Sequence, residues 1–159
     1  MRPNIVYLHA HDAGRFCEPY GMPVHTPALM QLAKDGVLFR KAFCAAPTCS
    51  PSRAALLSGQ YPHQIGMYGL TGEGWRFEDY GRHLVRVLGN LGYHTALAGC
   101  QHEASHSDLS PLGYKELLDD EEQGEFYQAS LTHAEEFIAR EAARGAGERE
   151  RPFFLSVGI

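Results

Sequence analysis

The segment CSPSRAALLSG, Cys49 to Gly59, places a cysteine and an arginine in the opening turn of a predicted helix. Pro51 suits the first turn of a helix, and the Ala-Ala-Leu-Leu run after Arg53 propagates it. The free N–H groups and the positive dipole end of such a helix favour a negatively charged group and the reactive thiolate form of a cysteine. The spacing therefore predicts anion chemistry at Cys49 and Arg53. The alternative is an ordinary helix whose cap happens to follow a cysteine.

Three stretches of the chain resemble the sulfatase family. CSPSRAALLSG resembles the sulfatase signature, NIVYLHAHDAG (residues 4–14) resembles the opening strand of sulfatases, and YPHQIGMYGL (residues 61–70) is similar to the sulfamidase branch that cleaves N-sulfoglucosamine. In this family the signature cysteine is converted after translation to formylglycine, and the arginine four residues later holds it. The resemblance implies that Cys49 is the precursor of the nucleophile and that Arg53 stabilises it.

The loop after the first predicted strand resembles the family's metal-binding loop. The resemblance implies Asp12, His11 and the modified Cys49 as ligands of a divalent metal, which is calcium in the family pattern. The family usually has a second aspartate at the position of His11, and an imidazole there suits manganese, zinc or iron better than calcium. Two alternatives stay open: Asp12 is a turn residue, and His11 is a surface or hydrogen-bonding group.

A second departure from the family lies in AGCQHEA, residues 98–104. This stretch resembles the place where sulfatases have a lysine and, two residues later, a histidine. His102 matches the histidine, which implies a hydrogen bond to the sulfate or to the nucleophile, although a solvated loop histidine is the alternative. Cys100 stands where the lysine should be. Its thiol lacks the lysine's positive charge, so another basic group compensates or the activity differs from that of the family.

The resemblance implies a hydrolase of sulfuric esters or sulfamates that acts on a sulfated small molecule or sugar. A second partner is implied, a maturation enzyme that makes the formylglycine. Two other functions stay open. One is a phosphonate or phosphate diester hydrolase of the same superfamily. The other is a non-catalytic sulfatase-like protein that binds anions, which His11 and Cys100 motivate.

Composition limits the remaining function classes. The net charge is −5 and no cluster of Lys and Arg offsets it, which argues against a nucleic-acid partner. The sequence has no apolar run long enough for a membrane span and no signal peptide, so we expect a cytoplasmic protein, or a periplasmic or secreted one if a leader was removed. The four cysteines lack the close spacing of a zinc site, and we expect free thiols, with Cys44 in the core.

Strands and helices alternate along the chain. Short apolar runs predict strands at Ile5–His9, Val37–Phe43, Tyr93–Ala98 and Phe153–Ile159. Helical spacing predicts helices from Pro27 to Gly36 with Thr26 as N-cap, from Cys49 to Gly59, from Leu84 to Leu91, and from Leu131 to Ala143 with Phe137 and Ile138 inward. The acidic run DDEE at residues 119–122 is predicted to be a solvated surface segment.

This alternation predicts the α/β class, a mostly parallel sheet flanked by helices. The resemblance specifies it further as the N-terminal portion of an alkaline-phosphatase-like fold. The apolar run FFLSVGI suits an inner strand, yet the sequence ends with it. We therefore expect residues 1–159 to be the N-terminal part of a sulfatase catalytic domain, inactive by itself. Ligands of such sheets bind beyond the carboxyl ends of the strands, where five polar residues fall: His9, His11, Asp12, Gln101 and His102. We expect one crevice to collect them together with Cys49 and Arg53.

Overall fold

The computed structural model describes residues 2–119, 127–144 and 151–159. The chain forms two compact units. The larger unit comprises Met1–His9 and Ala45–Ile159, and the smaller comprises Ala10–Cys44. Of the predicted acidic surface segment only Asp119 lies within the described residues.

The larger unit is built on a four-stranded parallel sheet. The strands are β1 (Ile5–His9), β2 (His94–Gly99), β3 (Glu116–Leu117) and β4 (Phe153–Gly158), in the spatial order β1-β4-β2-β3. β4 lies between β1 and β2, and all six of its residues are buried. The α/β class and the inner position of FFLSVGI are thereby confirmed. Because the strands are parallel, the carboxyl ends of β1, β2 and β4 meet at one edge of the sheet.

Helices pack on both faces of this sheet. On one face, α4 (Tyr127–Ala142) contributes Phe137 to an apolar cluster with Ala96 of β2 and Leu155 of β4. On the other face, α3 (Leu84–Asn90) contributes Val85 to a cluster with Phe154. Phe154 and Leu155 are successive residues of β4, and successive side chains of a strand point to opposite faces of the sheet. No helix within the described ranges is both long and apolar enough to cross a bilayer.

The inward face of α4 differs from the prediction. Phe137 is buried as predicted, but Ile138 is 40% exposed. Successive helix residues point about 100° apart, and the buried stripe of α4 is too narrow to include both. The buried stripe instead includes Ala134, Phe137 and Glu141, at the spacings of three and four residues that a helix requires.

The smaller unit contains one α-helix, α1 (Pro27–Asp35), which begins and ends where predicted. The side chain of Thr26 does not cap it. The Thr26 hydroxyl accepts a hydrogen bond from the N–H of Glu18 at 2.9 Å, and the N–H of Thr26 donates to the Glu18 carboxylate at 3.3 Å. These two bonds tie the start of the helix to the preceding turn.

The strand predicted at Val37–Phe43 is wrong. These residues are irregular, and Val37 and Phe43 are 78% and 90% exposed. An apolar run forms a strand only where a neighbouring strand and a buried face accept it, and this segment has neither in the described structure. The prediction that Cys44 is a core residue is wrong for the same reason, because it follows this exposed segment and is itself exposed.

Candidate active site

Helix α2 (Cys49–Ser58) presents Cys49 and Arg53 on one side. Cys49 is its first residue and Arg53 lies four positions later, so the two side chains are neighbours on the helix surface. Other side chains of this helix anchor it. Ala54 is fully buried, and the hydroxyl of buried Ser50 accepts a hydrogen bond from the N–H of Thr71 at 3.3 Å. The predicted helix therefore forms, and its buried positions fix the direction in which half-buried Cys49 and Arg53 point.

The loop after β2 brings His102 next to Cys49. The Sγ atom of Cys49 and a ring nitrogen of His102 lie within 4.8 Å of each other. The carboxamide of buried Gln101 shapes this loop. Its Oε1 atom accepts hydrogen bonds from the N–H groups of His102, Glu103 and Ala104 at 2.7, 2.7 and 2.8 Å. The backbone that carries His102 is therefore held from inside the protein, which favours a fixed orientation of the imidazole.

Two predicted site residues have unusual backbone conformations. Asp12 has a φ of 55° and His102 a φ of 151°, and they are the only described residues other than glycine with a positive φ. Such conformations cost on the order of 1–3 kcal/mol each and persist where the surrounding structure imposes them. Their coincidence with two independently predicted site residues supports a functional reading of both positions.

Two glycines allow the strand ends to approach closely at this edge. A Cβ atom on Gly99 would lie 1.9 Å from the carbonyl oxygen of Gly158. A Cβ atom on Gly158 would lie 2.0 Å from the carbonyl oxygen of Cys100 and 2.7 Å from Cε1 of His9. The ends of β1, β2 and β4 therefore meet at a spacing that only glycine permits at both positions.

The guanidinium of Arg53 is hydrogen-bonded to the last residue of β1. Nη1 of Arg53 donates to Nδ1 of His9, and Nε2 of His9 lies 3.5 Å from the Ser156 hydroxyl of β4. The ring of His9 stacks on that of Tyr7, with centroids 4.7 Å apart. The sequence places His9 at this edge but assigns it no role, because the bond to Arg53 joins residues 44 positions apart.

Glu103 is a buried carboxyl that the sequence analysis missed. It is 2% exposed, and burial raises its pKa to about 7 while Arg53 acts in the opposite direction. Its backbone carbonyl accepts a hydrogen bond from the Tyr80 hydroxyl at 3.0 Å. The only sequence signal was its position next to His102, four residues after β2.

Cys100 occupies the position of the family lysine as a neutral thiol. Burial raises its pKa; Arg53 lowers it, while Glu103 and Cys49 raise it further. These effects place the four side chains within electrostatic reach of one another. Because the thiol stays protonated at neutral pH, Cys100 adds no charge to the surroundings of Arg53.

Asp119 supports this edge from the side of α4. Its carboxylate accepts a hydrogen bond from the N–H of Gly99, and its other oxygen lies 2.6 Å from Nδ1 of His133. The Asp119 side chain is 22% exposed. The prediction of a solvated acidic segment is therefore wrong for this residue, because its carboxylate is bonded to a backbone N–H of β2 and to an imidazole of α4.

The remaining predicted metal ligands, His11 and Asp12, belong to the smaller unit. Nδ1 of His11 lies 3.1 Å from a carboxylate oxygen of Asp12, whose side chain is 84% exposed. An imidazole nitrogen beside a carboxylate oxygen is a donor pair that suits divalent transition metals such as manganese or zinc. The chemistry of this pair therefore fits a divalent metal.

Comparisons with known proteins identify the family of this chain. The family model described as Sulfatase matches residues 3–159. The human N-sulphoglucosamine sulphohydrolase is 33% identical over 161 residues, which cover 98% of this chain and 31% of that protein. The ulvan-active sulfatase of Formosa agariphila is 39% identical over 106 residues, which cover 64% of this chain and 20% of that protein. This chain therefore spans less than a third of the length of either relative.

Solved structures share the fold. The structure of BT4656 in complex with its substrate D-glucosamine-2-N,6-O-disulfate superposes with a TM-score of 0.77 at 21% identity, over 99% of this chain and 34% of that one. BT1596, a 2-O GAG sulfatase, superposes with a TM-score of 0.69 at 21% identity, over all of this chain and 35% of that one. Members of the family are hydrolases of sulfate esters or sulfamates, and the family implies a divalent metal. Since the family model matches nearly every residue, this chain belongs to the sulfatase family.

Proposed function

We propose that the protein hydrolyses a sulfate ester or a sulfamate on a sugar, with Cys49 converted to formylglycine as the nucleophile. The observation that supports this most directly is the placement of Cys49 within 4.8 Å of His102, with Arg53 one turn further along the same helix. The sugar is suggested by two similar proteins. One is named N-sulphoglucosamine sulphohydrolase, and the other was solved with D-glucosamine-2-N,6-O-disulfate.

Maturation requires a partner enzyme and an oxidant, because the Cβ atom of Cys49 is oxidised to an aldehyde while the sulfur is removed. Addition of water to the aldehyde gives two hydroxyl groups on one carbon. One of these oxygens attacks the sulfur of the substrate, the bond from sulfur to the sugar oxygen or nitrogen breaks, and the leaving group takes up a proton. The second hydroxyl then loses its proton, the aldehyde forms again, and sulfate leaves.

Each predicted site residue has a role in the proposed reaction. Arg53 neutralises negative charge on the sulfuryl oxygens and holds the nucleophile in line. His102 donates a hydrogen bond to the sulfate or to the attacking hydroxyl. A divalent metal held by Asp12 and His11 would supply further neutralisation of the sulfuryl oxygens. Cys100 adds no charge, so the chain relies on Arg53 more than the family pattern does.

The test uses the full-length protein from its own host. Intact-mass spectrometry should detect the loss of mass that accompanies conversion of Cys49 to formylglycine. Turnover is then compared for a sulfated sugar, an N-sulfated sugar and a phosphate diester. We expect Cys49→Ala to abolish turnover and Arg53→Ala to lower kcat about 100- to 1000-fold. Cys44→Ala is the matched control, because it removes an exposed thiol of the smaller unit.

Two results would contradict the proposal. A strong preference for the phosphate diester would identify a diester hydrolase. Unmodified Cys49 in the natural host, together with no turnover of any sulfated substrate, would identify an anion-binding protein without activity.

A further inference from the structure

We propose that His9 is a positioning residue that fixes the orientation of the Arg53 guanidinium through its Nδ1 atom. The catalytic consequence rests on the proposed function. The hydrogen bond itself does not, since it belongs to the fold of the larger unit.

The protonation of His9 follows from its partner. A guanidinium carries donors only and stays protonated in proteins, so Nδ1 of His9 must be the acceptor of the bond from Arg53. The ring is then neutral with its proton on Nε2. That N–H faces the hydroxyl of Ser156 at 3.5 Å, and Ser156 is in turn hydrogen-bonded to half-buried Tyr114. One tautomer therefore satisfies both sides of the ring.

Packing holds the His9 ring in this orientation. The ring stacks on Tyr7 with an angle of 27° between the planes. It also lies over the end of β4, where a side chain at Gly158 would come within 2.7 Å of Cε1. His9 is the last residue of β1, so its backbone is fixed by the register of the sheet. The stacking on Tyr7 and the proximity of the β4 end therefore fix the position of the Nδ1 atom that accepts the hydrogen bond from Arg53.

This order matters because of the chemistry proposed at Cys49. Arg53 leaves the same helix one turn after Cys49, and Cys100 adds no charge beside it. Misplacing a charged group by about 1 Å costs on the order of 100-fold in rate. A residue that holds the guanidinium therefore affects kcat without touching the substrate.

Two substitutions separate the two sides of the ring. In His9→Asn the carboxamide oxygen lies near the position of Nδ1, so the acceptor for Arg53 is kept. In His9→Gln the carboxamide nitrogen lies near the position of Nε2, so the group that faces Ser156 is kept and the acceptor is lost. In the full-length protein we expect His9→Gln to lower kcat about 10- to 100-fold with little change in KM. We expect His9→Asn to recover most of that loss, and both variants to melt at similar temperatures.

Equal loss in the two variants would reduce His9 to a packing role and overturn the proposal. No loss in either variant would overturn it as well.

A second readout does not depend on turnover. In full-length protein labelled with ¹⁵N-histidine, the resonances absent from His9→Asn belong to His9. We expect a protonated Nε2 and an unprotonated Nδ1 whose resonance shifts in Arg53→Gln. A proton on Nδ1, or no shift in Arg53→Gln, would overturn the proposal. If these spectra agree with it but no sulfated substrate is turned over, the proposed function fails and the inference about His9 stands. Its effect on Arg53 is then measured as the affinity for inorganic sulfate, which should be lower in His9→Gln than in His9→Asn.

Discussion

The buried carboxyl of Glu103 should make the stability of the protein depend on pH. Burial raises its pKa from 4.5 to about 7, against the opposing effect of Arg53. The unfolded chain therefore releases this proton near pH 4.5, whereas the folded protein keeps it until about pH 7. Between these values the folded state binds more protons than the unfolded chain. The contribution of protonated Glu103 to the free energy of unfolding is therefore complete below pH 4.5 and is lost as the pH rises through 7. The gap between the two pKa values corresponds to about 3 kcal/mol.

Glu103→Gln removes the ionisable group and keeps the size of the side chain. We expect this variant to match the natural protein near pH 4.5 and to exceed its free energy of unfolding by about 3 kcal/mol at pH 8. Urea titrations followed by circular dichroism between these pH values measure the difference. Glu135→Gln, which makes the same chemical change on the exposed side of α4, is the matched control. If the free energies of unfolding of the natural protein and of Glu103→Gln change in parallel from pH 4.5 to 8, the raised pKa of Glu103 is wrong.

Three further predictions concern the body of the larger unit. Gly99→Ala should prevent soluble folding or lower Tm strongly, because its Cβ atom would lie 1.9 Å from the oxygen of Gly158; an unchanged melting curve would contradict this. Burial lowers the pKa of His83 from 6.5 to about 4, so the unfolded chain binds a proton in this range that the folded protein does not, and stability should fall as the pH drops from 6.5 to 4. Urea titrations should show a smaller loss of unfolding free energy on acidification in His83→Asn. An equal loss in both proteins would argue against a lowered pKa of His83. Phe137→Ala should cost about 3–5 kcal/mol in the same assay, and Ile138→Ala much less, because Ile138 is 40% exposed. Comparable losses of unfolding free energy in the two variants would support the predicted orientation of α4, in which both side chains point inward.

The parts of the fold that the sequence predicts are those with a strong local signal. β4 is apolar at almost every position, as a strand buried on both faces must be. α2 carries a proline in its first turn and ends at Gly59 in a left-handed conformation. The misses are segments whose state depends on a distant partner. β3 is only two residues long and forms because β2 offers an edge, and Val37–Phe43 is apolar but has no neighbouring strand within the described residues.

The candidate site also contains residues with a local sequence signal and residues whose role depends on a distant partner. The motif and the resemblance identified Cys49, Arg53 and His102, and the fold brings Cys49 and His102 together. The importance of His9 and Glu103 was not predictable from the sequence, because both depend on Arg53, which lies 44 and 50 residues away along the chain. Only the parallel order of the strands, which gathers their carboxyl ends at one edge, makes these residues neighbours.

The polar residues around Arg53 favour an enzyme over a protein that only binds anions. A fold that needed only to hold its shape would fill the buried position of Glu103 with an apolar side chain and would not impose a φ of 151° on His102. Both features cost stability, and perturbed titratable groups of this kind concentrate at functional sites. The departures from the family pattern also compensate in charge. His11 replaces a negative group and Cys100 replaces a positive one, so the formal charge of the predicted site residues is unchanged. Turnover of a sulfated sugar is therefore the first property to test, before the binding of anions alone.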